Sequence, residues 1–162
     1  ETLEHCIARA QNAWGVTVYL EPGEACALNA GYLLTRVLDV VQNGGTTVAI
    51  LDASAACHMP DVIEMPYRPP LLFAGDAGQK PCTVRLAGPT CLAGDVIGDY
   101  SFDAVPRAGD LLVFGDMAIY TTCKNNTFNG MPLPAICVRD EAGHVRELVK
   151  FGYRDFKTRL GR

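Results

Sequence analysis

The chain has 162 residues, 49% hydrophobic and 20% charged, with a formal net charge of −4 and a pI near 5.3. That length allows one ordinary domain with a sizeable core, and the composition is that of a globular protein, not a disordered or fibrous one. The acidic balance, without a Lys/Arg cluster, excludes a phosphate-neutralising face for nucleic acid, and no apolar run approaches the roughly 18–20 residues of a membrane span. The sequence opens Glu-Thr-Leu-Glu-His, without the basic and apolar stretch of a secretory signal. Seven cysteines, at 6, 26, 57, 82, 91, 123 and 137, form no CxxC pair. An odd, unpaired set fits neither a structural zinc site nor a disulfide framework, so we expect reduced thiols, a cytoplasmic setting and no metal.

Residues 2–13 predict a short amphipathic helix, because Leu3, Cys6, Ile7, Ala10 and Ala13 fall at three-and-four spacing. Val16 to Leu20 is an apolar, β-branched run that predicts a buried strand, stopped by Glu21-Pro22-Gly23. Ala25–Val41 is a long apolar-leaning stretch, and Gln42-Asn43-Gly44-Gly45 is a hairpin signal with Asn-Gly at its centre. A second strand follows at Thr46–Asp52. The prolines at 60, 66, 69, 70 and 81 make residues 60–81 a long ordered loop. Further strands are predicted at Cys82–Ala87, Asp110–Phe114, Leu133–Arg139 and His144–Lys150, the last two joined by Glu141-Ala142-Gly143. The expected class is mainly β (α+β), with short strands arranged as a sandwich or barrel.

Four runs stand out in order. They are Glu21-Pro22-Gly23, the segment His58–Pro69, Gly88-Pro89-Thr90-Cys91-Leu92-Ala93-Gly94-Asp95, and Gly115-Asp116-Met117-Ala118-Ile119-Tyr120-Thr121 with Thr127-Phe128-Asn129-Gly130. In this order the chain resembles the C-terminal half of the fold-type III, pyridoxal-phosphate-dependent decarboxylases of basic amino acids. The His58–Pro69 segment resembles the carboxynorspermidine (carboxyspermidine) branch. The resemblance implies a C-terminal β-barrel domain of the alanine-racemase/ornithine-decarboxylase type over residues 24–162. Residues 1–23 would then be the last helix–strand unit of the α/β barrel that binds the cofactor.

Removing a carboxylate from an amino acid leaves electrons on Cα, which the pyridine ring of pyridoxal phosphate absorbs when a carboxylate keeps its nitrogen protonated. By resemblance Glu21, at a strand end, is that partner, and Tyr120 touches the cofactor near its phosphate. Cys91 resembles the cysteine that handles the proton at Cα, a task suited to a thiol whose pKa lies within reach of neutrality. Glu64 lies twelve residues after Asp52, the spacing that in ornithine-decarboxylase-like relatives leads to the acid holding the distal amine. Asp61 is a second candidate for that amine. Asp95 either caps its turn or orients the substrate, Arg68 meets the substrate carboxylate or a surface acid, and Phe128 packs beside the site. His58 reads as a loop hydrogen-bonder or a contact.

Two positions depart from the family pattern. Glu24 stands where ornithine and diaminopimelate decarboxylases carry an arginine for the cofactor phosphate, and Ile119 stands where close relatives have histidine. The four lysines, at 80, 124, 150 and 157, lie outside the context of a Schiff-base lysine, so the chain alone is expected to be inactive. Its expected partners are an N-terminal α/β-barrel half, a polyamine substrate, and a second copy in a homodimer with shared sites. Glu21 and Tyr120 would serve one site, Cys91 and Glu64 the other. Two alternatives stay open: a related diaminopimelate, ornithine or arginine decarboxylase, or a non-catalytic β-barrel that mediates dimerisation.

Overall fold

A computed structural model describes residues 2–161. The predicted first helix is present as α1 (Leu3–Trp14). Thr2 accepts from the His5 amide at 3.3 Å to open it, and Gly15, left-handed at φ 62°, closes it. None of its residues is buried. The strand predicted at residues 16–20 does not form: the segment has no regular structure, and Val16, Tyr19 and Leu20 are exposed. A β-branched run becomes a strand only against a sheet edge that takes its hydrogen bonds, and no described strand pairs with it. A short helix, α2 (Gly23–Ala27), follows.

The remainder is built on a six-stranded sheet. β1 (Leu33–Asn43) and β2 (Thr46–Leu51) form the predicted hairpin. Its turn residues are Gly44 (φ 56°) and Gly45 (φ 81°), one position later than the Asn-Gly reading placed them, because a two-residue turn of this hand needs positive φ twice. Two short helices come next, α3 (Ala55–His58) and α4 (Asp61–Glu64). Then follow β3 (Gly75–Asp76), β4 (Cys82–Ala87), β5 (Val96–Phe102) and β6 (Leu111–Phe114). The strand order is β3-β5-β4-β2-β1-β6, antiparallel except for β2 beside β4. After α5 (Tyr120–Cys123) come an exposed two-stranded hairpin, β7 (Ile136–Arg139) and β8 (Val145–Val149), and a last helix, α6 (Tyr153–Leu160).

The core lies on the concave side of this curled sheet. Val37, Ala49, Leu51, Val84, Leu86, Ile97, Tyr100 and Phe114 are buried there, joined by Ala55 and Val62 from the two short helices and by Met59 between them. Tyr100 and Phe114 meet edge to face at 6.1 Å, and the Tyr100 hydroxyl donates to the Pro69 carbonyl at 2.7 Å, so its polar tip is satisfied. One segment serves both sheet edges. Leu72 N–H donates to Val113 O at 3.0 Å and Leu71 bridges Phe114, while β3, a few residues on, pairs with β5.

Candidate active site

Cys91 is exposed on the loop between β4 and β5. The loop is pinned by Asp95, which is only 3% exposed. Its Oδ1 accepts from Ser54 Oγ at 2.9 Å and from the Ala56 amide at 3.3 Å. Its Oδ2 accepts from Thr90 Oγ1 at 2.6 Å and from the Thr90 amide at 3.3 Å. Gly88 makes room for this carboxylate, since a Cβ there would lie 2.6 Å from the Asp95 carboxyl carbon. Two of these four donors are backbone amides and two are hydroxyls, so the Asp95 carboxylate ties the Cys91 loop to the start of α3.

The α3–α4 pair ties this loop to the stretch after β6. His58 is buried, with Nδ1 accepting from the Ser54 amide at 3.0 Å and Nε2 facing the Pro132 carbonyl at 2.9 Å. Nδ1 is occupied as an acceptor, so Nε2 carries the proton and the ring is neutral; burial lowers its pKa. Asn126 donates to the Ala56 carbonyl at 2.7 Å, and the Cys57 thiol donates to the Phe128 carbonyl at 3.5 Å. Burial pushes the Cys57 thiol up, leaving it a structural contrast to exposed Cys91. Through this bracing Asn129, left-handed at φ 60°, reaches Cys91: the thiol donates to its Oδ1 at 3.6 Å.

The acids of α4 carry the second feature. Asp61 is 8% exposed, whereas the Glu64 side chain is 58% exposed. Both engage the Lys124 ammonium, Asp61 through a short ion pair and Glu64 at 3.0 Å. That ammonium also lies 4.9 Å from the centre of the Tyr120 ring, which is 53% exposed. The acids hold the Lys124 pKa above its ordinary value. Beside them the Tyr67 hydroxyl is pushed up by burial and by the charges of Asp61, Asp116 and Glu24.

The structure therefore brings Asp61, Glu64 and Tyr120 together around one ammonium, and Cys91 to Asn129. Tyr120 and Glu64, expected from the sequence to serve different sites, thus lie within reach of the same Lys124 side chain in this chain. Arg68 goes elsewhere. It pairs with Asp76, donates to the Asp99 carbonyl at 3.2 Å and lies 4.5 Å from the Tyr100 ring centre. Glu21 is exposed in the irregular segment before α2, and its carbonyl accepts from the Gly23 amide at 2.9 Å. Phe128 is exposed beside Asn129. Sequence reasoning missed Lys124 and Asn129 as neighbours of the candidate residues. Nothing in their local context announces them, because their partners lie 60 and 38 residues away.

A curled mixed sheet bearing an exposed turn thiol, a helix with two acids and an exposed tyrosine defines a sheet domain with candidate site residues in two clusters. A family profile described as "Pyridoxal-dependent decarboxylase, C-terminal sheet domain" matches residues 16–118, and the chain belongs to that family. A carboxyaminopropylagmatine decarboxylase from Synechocystis sp. is 44% identical over 142 residues, covering 88% of this chain and 37% of that protein. A carboxynorspermidine/carboxyspermidine decarboxylase from Campylobacter jejuni is 40% identical, covering 97% of this chain and 44% of its own. The solved C. jejuni carboxynorspermidine decarboxylase, in complex with norspermidine, superposes with a TM-score of 0.81 at 40% identity, covering 93% of this chain and 44% of that one. A diaminopimelate decarboxylase structure, 24% identical with a TM-score of 0.72, shares the fold. The chain spans less than half the length of these relatives.

Proposed function

We propose that this chain is the C-terminal part of a pyridoxal-phosphate-dependent decarboxylase that acts on a carboxylated polyamine, carboxynorspermidine or carboxyspermidine. The observation that supports this most is the pair of acids on α4 beside an exposed tyrosine, in a chain 40% identical to a decarboxylase solved with norspermidine. A cationic tail pairs with a carboxylate, and Glu64 is the accessible one of the two. A second reading, a guanidino-tailed carboxylated substrate, is favoured by the 44% identity to a carboxyaminopropylagmatine decarboxylase. Diaminopimelate is disfavoured by Glu24.

The polar ends of pyridoxal phosphate have two partners of fitting chemistry in this chain. Glu21 offers an exposed carboxylate for the ring nitrogen, and Tyr120 an exposed hydroxyl for the phosphate. When bound, that group supplies the electron sink for the departing carboxylate. Glu64 then orients the substrate by its far ammonium. Cys91 holds a proton at Sγ, aimed through Asn129, for delivery to Cα once carbon dioxide has left. Phe128 keeps water from that end of the site.

Residues 1–23 are read as the end of the cofactor barrel and 24–162 as a barrel-like sheet domain. In a cytoplasmic homodimer with shared sites, Glu21, Tyr120 and Glu64 would serve one site and Cys91 the partner's. The chain alone would not turn over, because none of its four lysines stands in the context of the family's Schiff-base lysine, and two of them are already held, Lys80 by Phe73 O and Asp103 and Lys124 by the α4 acids. The test is carbon dioxide release by the intact protein, loaded with pyridoxal phosphate, from carboxynorspermidine, carboxyaminopropylagmatine and diaminopimelate. Release from the first supports the reading, and release from the second alone selects the guanidino substrate. Release from diaminopimelate alone, or from none, overturns it.

A further inference from the structure

Asp61 and Glu64 sit one turn apart on a four-residue helix, two like charges that repel. Asp61 is nearly buried, and a buried carboxylate is costly unless it is paired. Lys124, 60 and 63 residues away in sequence, reaches back to both. Its backbone is fixed as the C-cap of α5, with the Lys124 amide donating to the Tyr120 carbonyl at 2.8 Å, so its ammonium is delivered from a defined position. The two acids are thus unequal. Asp61 spends its charge on Lys124, while Glu64 shares one oxygen with Lys124 and stays largely open to an incoming cation.

We infer that Lys124 is a specificity-determining positioning residue: it neutralises buried Asp61, so that Glu64 alone, with one net negative charge left at the acid pair, receives the substrate's distal cation. This rests on the proposed function and deepens it by dividing the two acids into an anchor and a receiver. Without Lys124 the acid pair carries two charges, and Asp61 competes with Glu64 for the substrate's ammonium, displacing the tail from its working place. Without Asp61 the Lys124 ammonium falls wholly to Glu64 and blocks it.

The test is steady-state kinetics of the intact, cofactor-loaded protein with carboxynorspermidine, beside calorimetric binding of norspermidine. Lys124→Met and Asp61→Asn should each raise KM by about tenfold, the worth of one charge-assisted hydrogen bond, with kcat little changed. The double variant Asp61→Asn/Lys124→Met leaves no buried charge and an unshared Glu64. Its KM and norspermidine affinity should return toward those of the parent, and Lys124→Arg should likewise preserve them. A purely structural role would lower kcat and melting temperature together and would not be rescued by the second substitution. An unchanged KM in Lys124→Met, or a double variant no better than the single ones, overturns the inference while the function stands. A parent protein that releases no carbon dioxide from any carboxylated polyamine fails the function itself.

Discussion

Replacing Asp95 by alanine tests the argument that the Cys91 loop is held by one buried carboxylate. Four donors lose their acceptor. The Ser54 hydroxyl is fully buried and has no water to turn to, which costs about 1–3 kcal/mol. The half-buried Thr90 hydroxyl and amide, and the Ala56 amide, can partly rehydrate, so together they add about 1 kcal/mol. The sum is about 3 kcal/mol, which for a chain of this size lowers the melting temperature by roughly 6–12 °C. Asp95→Asn should fall between, because its Oδ1 can still accept from Ser54 while an NH2 group faces the Thr90 amide. Differential scanning calorimetry reads the stability, and the alkylation rate of Cys91, followed by mass spectrometry, reads the loop. An Asp95→Ala protein that melts within about 2 °C of the parent, with Cys91 alkylated at the parental rate, would refute the reasoning.

The Gly88→Ala Cβ would meet the Asp95 carboxyl carbon at 2.6 Å, so the loop must shift at a cost of about 1–3 kcal/mol, read by thermal unfolding. On the proposed function, Cys91→Ala in the intact protein should cut turnover at least about 100-fold, as for a lost general acid, and leave the melting temperature unchanged because the thiol is exposed. His58 is held neutral in the fold, with its pKa lowered by burial. The unfolded chain therefore takes up a proton below about pH 6.5 that the folded ring refuses. Its stabilising contribution is complete above that pH and is lost as the pH falls toward the folded value. Melting temperatures from pH 8 to pH 5 should decline, and His58→Phe should flatten that decline at lower overall stability.

Strands written in period-two or β-branched language were legible. Cys82–Ala87 was read at its observed bounds, and β2, β6, β7 and β8 lie within the predicted ones. β5 was not read, because Gly98, at φ 155°, and Asp99 interrupt its pattern while Arg85 and the sheet supply what the local sequence lacks. Val16–Leu20 failed for the opposite reason: a strand-forming sequence without a sheet edge to join. At the candidate site the motif residues were visible as chemistry, since Cys91, Glu64 and Tyr120 each carry a thiol, carboxylate or phenol within a recognisable run. Their supports were not. Ser54 and His58 act on Asp95 and Pro132 across loops that only the folded sheet brings side by side. Lys124, one of four unremarkable lysines in sequence, becomes a counter-ion only once α5 stands opposite α4.

The segment that runs from Pro70 to Asp76 has one strand edge on each side of it. Gly115 donates to the Pro70 carbonyl at 2.8 Å and Leu72 to Val113, while Gly75 and Asp76 face Ser101 and Tyr100. It works as a clasp. Pulling it away takes one neighbour from β6 and one from β5 in a single event, while β6 keeps β1 and β5 keeps β4. At its middle stands Phe73, 89% exposed and left-handed at φ 64°, its carbonyl gripped by Lys80. A single cut by an aromatic-specific protease at that residue would divide the clasp between its two attachments, leaving the Pro70–Leu72 half on β6 and the Gly75–Asp76 half on β5.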